Sequence, residues 1–79
     1  MNYRLLYFAS LADAAGCAEE SVASDTHDPR ALYAELRARH GFVFDATRLR
    51  VAINGAFGGW NDTLADGDEI AFIPPVSGG

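Results

Sequence analysis

Between Asp28-Pro29 and Gly41 lies the one stretch of this chain that carries both the start and the stop signals of a helix. An aspartate ahead of the first turn can accept from the orphan amides, and a proline suits the first helical position because its missing N–H would find no partner there. A glycine tolerates the left-handed backbone that ends a helix. The spacing predicts a helix from about Pro29 to His40, with Leu32 and Leu36 on one face, Ala31 and Tyr33 flanking them, and Glu35 four residues ahead of Arg39 on the exposed side. Phe42, Val43 and Phe44 read as core filling under the helix end. The other long apolar stretches have strand character, so this helix must bury its stripe against a sheet.

The strands follow from branched and aromatic residues bounded by turn signals. Tyr3 to Ala9 is the first. Leu11 to Gly16 is alanine-rich and short, a turn of helix or a loop closed by Gly16, and Glu19 to Ser24 is a second strand with acidic residues that discourage edge pairing. Leu49 to Ile53 is a third, and Asn54-Gly55 is the strongest hairpin-turn signal in the chain. Phe57 to Trp60 is then the short return strand, Asn61 to Leu64 is irregular, Asp66-Gly67 turns, and Glu69 to Ile73 is the last strand. Strand, strand, helix, strands in so short a chain describe an α+β roll, a mixed sheet wrapped on one main helix: the ubiquitin-like β-grasp.

Period two separates the faces of that sheet. Leu5, Tyr7, Leu49, Val51, Ile53, Ile70 and Phe72 form the inner set that meets Leu32 and Leu36, and Arg4, Leu6, Phe8, Arg50, Ala52, Ala71 and Ile73 form the outer set. No second helix is expected to cover the outer set. If the first and last strands are neighbours, Phe8 and Ile73 lie close together at one end, Phe57 joins them, and the three make an apolar docking surface.

With 79 residues the chain is one domain, expected to bury only about 60% of the surface its unfolded form exposes. Residues 1–73 are assigned to the globular unit and 74–79 to an extended tail. Eleven acidic residues against six arginines and no lysine give a net charge of −5, which argues against a nucleic-acid backbone or an anionic membrane as partner. A single cysteine cannot form an internal disulfide, the apolar run from Tyr3 to Phe8 is too short for a signal peptide, and no run approaches a membrane span. The expected compartment is the cytoplasm.

The last strand runs directly into Pro74-Pro75-Val76-Ser77-Gly78-Gly79. Two prolines remove ladder donors and stiffen the base, and small residues with a terminal carboxylate can enter a space too narrow for ordinary side chains. Six extended residues reach about 20 Å. The Gly79 carboxylate is therefore the candidate reactive group. A frayed or linker-like end shares the Ser-Gly-Gly composition but not the continuous path from the Asp66-Gly67 turn through a strand.

Gly67-Asp68-Glu69 with Pro74-Pro75-Val76-Ser77-Gly78-Gly79, Leu6-Tyr7-Phe8-Ala9-Ser10-Leu11 with Ala14-Ala15-Gly16, and Val51-Ala52-Ile53-Asn54-Gly55 together resemble the small, sulfur-carrying subunits of molybdopterin synthase, in the MoaD/ThiS family of ubiquitin-like proteins. The resemblance spans nearly the whole chain, with little signal from Cys17 to Asp45. It implies a β-grasp fold and a non-catalytic carrier for molybdenum cofactor biosynthesis. Gly79 would be adenylated by an E1-like enzyme that uses ATP and Mg, converted to a thiocarboxylate by a sulfur donor, and inserted into the large catalytic subunit of a heterotetrameric synthase to deliver sulfur to a cyclic pyranopterin precursor. Pro74, Pro75, Val76, Ser77 and Gly78 would form the inserted tail. The chain itself would bind no cofactor.

Other chemistries find no support. His27, His40 and Cys17 lack ligand spacing for a metal. Asp62, Asp66 and Gly67 approach a calcium loop, but Leu64 and Ile73 stand where ligands belong. Gly55, Gly58 and Gly59 do not follow dinucleotide spacing and open no helix. A carrier for thiamine thiazole synthesis, a ubiquitin-like protein modifier and a non-carrier β-grasp binding module remain the alternatives.

Overall fold

The structure is a computed structural model that describes residues 1–75. Five strands, β1 (Asn2–Tyr7), β2 (Glu19–Ala23), β3 (Arg50–Ile53), β4 (Ala56–Gly58) and β5 (Glu69–Ile73), form one sheet in the order β2-β1-β5-β3-β4. The chain's two end strands, β1 and β5, pair in parallel, Arg4 facing Glu69 and Tyr7 facing Phe72, while every other pairing is antiparallel. Helix α1 (Ala9–Ala15) follows β1, and helix α2 (Pro29–His40) crosses the inner face. The arrangement is the α+β β-grasp.

Local chemistry accounts for the main elements. Asp28 Oδ1 accepts from the Arg30 amide at 3.0 Å, Pro29 begins α2, and Gly41, at φ 73°, donates its N–H to the Arg37 carbonyl. Asn54 and Gly55 both have positive φ, 53° and 83°, the two-residue hairpin geometry whose twist matches the flanking strands. Beneath the sheet, Leu32, Tyr33 and Leu36 of α2 pack among Tyr3, Leu5, Tyr7, Val22, Val51, Ile70 and Phe72, all buried. Ile53 packs against the same cluster, half-buried. Buried Tyr33 is more than a flank: its ring stacks on Phe42 and its hydroxyl donates to the Phe44 carbonyl at 2.8 Å.

Several expectations are corrected. The first strand stops at Tyr7, and the alanine-rich stretch after it is a true helix, closed as expected by Gly16. The return strand is Ala56–Gly58, because Trp60 turns inward to stack on Phe72. Val43 is not core filling: it is 80% exposed, while its neighbour Phe42 is buried and Phe44 packs on the core. Leu64, in the polar irregular stretch, is buried, its N–H donating to the His27 carbonyl so that the loop clamps the start of α2. Glu35 does not pair with Arg39; its carboxylate accepts from the buried Ser24 hydroxyl at 2.9 and 3.0 Å. Ala71 is buried despite its outward position, a small side chain on the central strand between Leu6 and Ala52.

Candidate functional site

The registers arrange the outer face of the sheet in three rows. Parallel pairing sets Arg4 beside Glu69 and Leu6 beside Ala71, and antiparallel pairing sets Ala52 between Ala71 and Phe57, and Arg50 opposite Ile73. The row far from the tail is polar: Arg4 pairs with Glu19 at 2.9 Å and Glu69 at 3.9 Å, and the Asn54 side chain donates to Asp68 at 3.0 Å. With the Ala65 amide also donating to it, the Asp68 carboxyl is held below the usual carboxylate range. The middle row is Leu6, Ala71, Ala52 and Phe57, and the near row, where β5 ends, is Phe8, Ile73 and Arg50. Apolar contact dominates this end: Phe57 is 70% exposed, Phe8 47%, and both line one shallow depression with Leu6, Ala52, Ala71 and Ile73.

Where β5 runs out into Pro74 and Pro75 the face folds into two grooves. One is lined by Phe8, Ala9, Ser10, Phe44, Ile73, Pro74 and Pro75, and is mostly apolar. Ala9 stands at φ 49°, in the left-handed region that side chains rarely adopt, and this turn takes the chain from β1 into α1 along the groove wall. The other groove is lined by Arg48, Arg50, Ile73, Pro74 and Pro75. Each arginine lies over a ring, Arg48 at 5.8 Å from the centroid of Phe44 and Arg50 at 5.6 Å from that of Phe57.

The structure thus brings Phe8, Phe57 and Ile73 onto one face and places buried Pro74 and exposed Pro75 directly beyond it. The predicted tail residues Val76, Ser77, Gly78 and Gly79 lie outside the described residues. Sequence reasoning missed Ala9, Ser10, Phe44 and Arg48 as neighbours of Pro74 and Pro75, since they come from the start of α1 and from the connection between α2 and β3, whose convergence only the fold decides. Cys17 is half-buried, and the described residues contain no group of three or more His, Cys, Asp or Glu side chains placed to hold a metal. No helix among them is long and apolar enough to cross a membrane.

These features define a class: small ubiquitin-like β-grasp proteins whose central strand ends beside an exposed apolar face. Within it the chain belongs to the ThiS family, whose model matches residues 5–79. It is 33% identical to the molybdopterin synthase sulfur carrier subunit of Escherichia coli (strain K12), over 96% of this chain and 98% of that one, and 35% identical to that of Chlamydomonas reinhardtii, over the full length of both. Among solved structures, it superposes with a TM-score of 0.77 and 26% identity on small archaeal modifier protein 1 of Haloferax volcanii, covering 95% of this chain and 98% of the other. It superposes with a TM-score of 0.68 and 25% identity on a chain of the complex of subunits 1 and 2 of the Helicobacter pylori 26695 molybdopterin-converting factor, over the whole of both.

Proposed function

We propose that this protein is the sulfur carrier subunit of a molybdopterin synthase and that Gly79 is its working residue. The observation that carries the reading is the end-to-end likeness to two molybdopterin synthase sulfur carrier subunits, with a family match that extends through Gly78-Gly79. A carboxylate is a poor electrophile at neutral pH, so activation is assigned to an E1-like partner using ATP and Mg. The Gly79 carboxylate attacks the α-phosphorus of ATP and pyrophosphate leaves; hydrosulfide released by the sulfur donor then attacks the acyl carbon, and AMP and a proton leave to give the thiocarboxylate. In the large catalytic subunit that sulfur passes to a cyclic pyranopterin precursor on the way to a dithiolene. This chain contributes presentation rather than catalysis: Phe8, Phe57 and Ile73 dock, Pro74 and Pro75 fix the direction of exit, and Val76, Ser77 and Gly78 bring the acyl carbon into the partner's site. The cytoplasm is the assigned compartment.

The test is intact-mass spectrometry. Incubated with the adenylating enzyme, ATP and a sulfur donor, the chain gains the mass of one sulfur-for-oxygen exchange, mapped to Gly79. Deleting Gly79 eliminates the gain, because the carboxylate is withdrawn by about 3.5 Å from a site where misplacement of about 1 Å costs roughly a hundredfold in rate. Cys17→Ser is charged normally. A persulfide on Cys17 with unmodified Gly79 overturns the mechanism, and isopeptide conjugates to other proteins without sulfur gain reassign the chain as a modifier.

A further inference from the structure

The near and far rows of the outer face differ in how their charges are settled. The far row closes on itself: Arg4 has Glu19 and Glu69, and Asn54 has Asp68. In the near row, no ion pair of the described residues involves Arg50 or the adjacent Arg48, and each instead lies over an aromatic ring. This occurs in a chain with eleven acidic residues and six arginines. Two arginines that have no carboxylate partner among the described residues therefore line one groove with Ile73, Pro74 and Pro75.

We infer that Arg48 and Arg50 form the polar anchor of the docking face and are met by acidic side chains of the large synthase subunit. The inference rests on the carrier reading. A partner that takes in the tail must close over Ile73, Pro74 and Pro75, and so over the guanidinium of Arg50, the register partner of Ile73. Covering a guanidinium with no acceptor costs more than the surrounding apolar contact returns, so the covering surface carries carboxylates within reach. Arginine suits this because its planar fork binds a carboxylate through two parallel hydrogen bonds. The ring beneath each guanidinium also limits the freedom lost on docking. Arg30 and Arg39 are likewise in no ion pair among the described residues, but they belong to α2, on the other side of the sheet. On the docking face itself an acidic patch of the partner is attracted at this edge of the apolar stripe and meets already paired charges at the far row, which fixes the docking orientation. The tail leaves from the same edge.

Calorimetric titration of the full chain with the large subunit, at low and at moderate salt, tests this. Arg50→Glu and the double variant Arg48→Glu/Arg50→Glu are expected to melt with the wild type, since neither residue makes an ion pair among the described residues. They bind at least about tenfold more weakly at low salt, and the weakening of binding with salt seen for wild type is flattened or reversed. Arg50→Gln gives a smaller loss in the same direction and covers the case in which the reversed charge disturbs the fold. Variants that bind within about twofold of wild type, with unchanged salt dependence, overturn the inference. Wild-type chain that fails to bind the large subunit at any salt removes the carrier reading too; wild-type binding with indifferent arginine variants removes this inference alone.

Discussion

Glu20 shows how much one side chain can gather. Its Oε2 accepts from the Tyr7 hydroxyl at 2.6 Å and from His40 Nε2 at 2.6 Å, tying β2 to its neighbour β1 and to the last turn of α2. Burial pushes its pKa up, but the hydrogen bonds from Tyr7 and His40, helped by the charges of His40 and Arg39, outweigh it and hold the carboxyl below its ordinary value. Burial, reinforced by the bond to Glu20, pushes the Tyr7 phenol up. A carboxyl lowered on folding contributes stability above its unfolded pKa of about 4.3, and loses it as pH falls through the folded value. Glu20→Gln should therefore melt below wild type at neutral pH, and the gap should close below about pH 4; thermal melts across that range measure it. A gap that persists unchanged into acid would show that Glu20 acts by packing alone. None of this cluster was legible in the sequence, because Glu20 stands 13 residues from Tyr7 and 20 from His40 and only the fold joins them. Leu64 was hidden by the polar residues around it, and Val43 by two aromatic neighbours that do turn inward.

Among the elements, those with chemical punctuation were read most firmly, while β1 and β2 were read from their branched and aromatic residues alone, β2 to within one residue. Helix α2 has Asp28, Pro29 and Gly41; the β3–β4 hairpin has Asn54-Gly55; and β5 is flanked by Asp66-Gly67 and two prolines. Helix α1 has no side-chain cap and one buried residue, Leu11, so its seven residues carry little periodic signal. The apolar part of the candidate site was legible because period two alone sorts Phe8 and Ile73 outward. Its groove walls were not, since Ala9, Ser10, Phe44 and Arg48 belong to no alternating pattern. The helix stripe gives the sharpest test at this scale: Leu36 is fully buried against the sheet. Leu36→Asp places an unpaired charge there at a cost of several kcal/mol, against a total stability of roughly 4–12 kcal/mol for a chain of this length. Cooperative thermal unfolding should be lost, and a soluble variant with an unchanged melting temperature would mean that α2 buries another face.

For the whole molecule, the division of labour between the sheet's faces predicts that binding and folding separate by mutation. Phe57→Arg, at a largely exposed side chain, should leave the melting temperature nearly unchanged, and Phe8→Arg, at a half-exposed one, should lower it only slightly, yet each should weaken binding to the large subunit by about 2 kcal/mol or more if it sits at the centre of the interface. Paired melting and titration experiments check both halves, and unfolding of either variant would show that its side chain supports the core. The place of β5 has a mechanical consequence. It is the central strand, bonded to β1 over Arg4–Tyr7 on one side and to β3 over Arg50–Ile53 on the other, and its own C-terminal end is the root of the tail. Ladder bonds run across the strands, so tension applied along β5 from the tail loads both ladders in shear, many bonds together, instead of peeling them open one at a time. A pull transmitted through Pro74 and Pro75 is therefore shared between two ladders at once, so the sheet resists being unravelled from this end more than it would if the chain left from a strand paired on one side only.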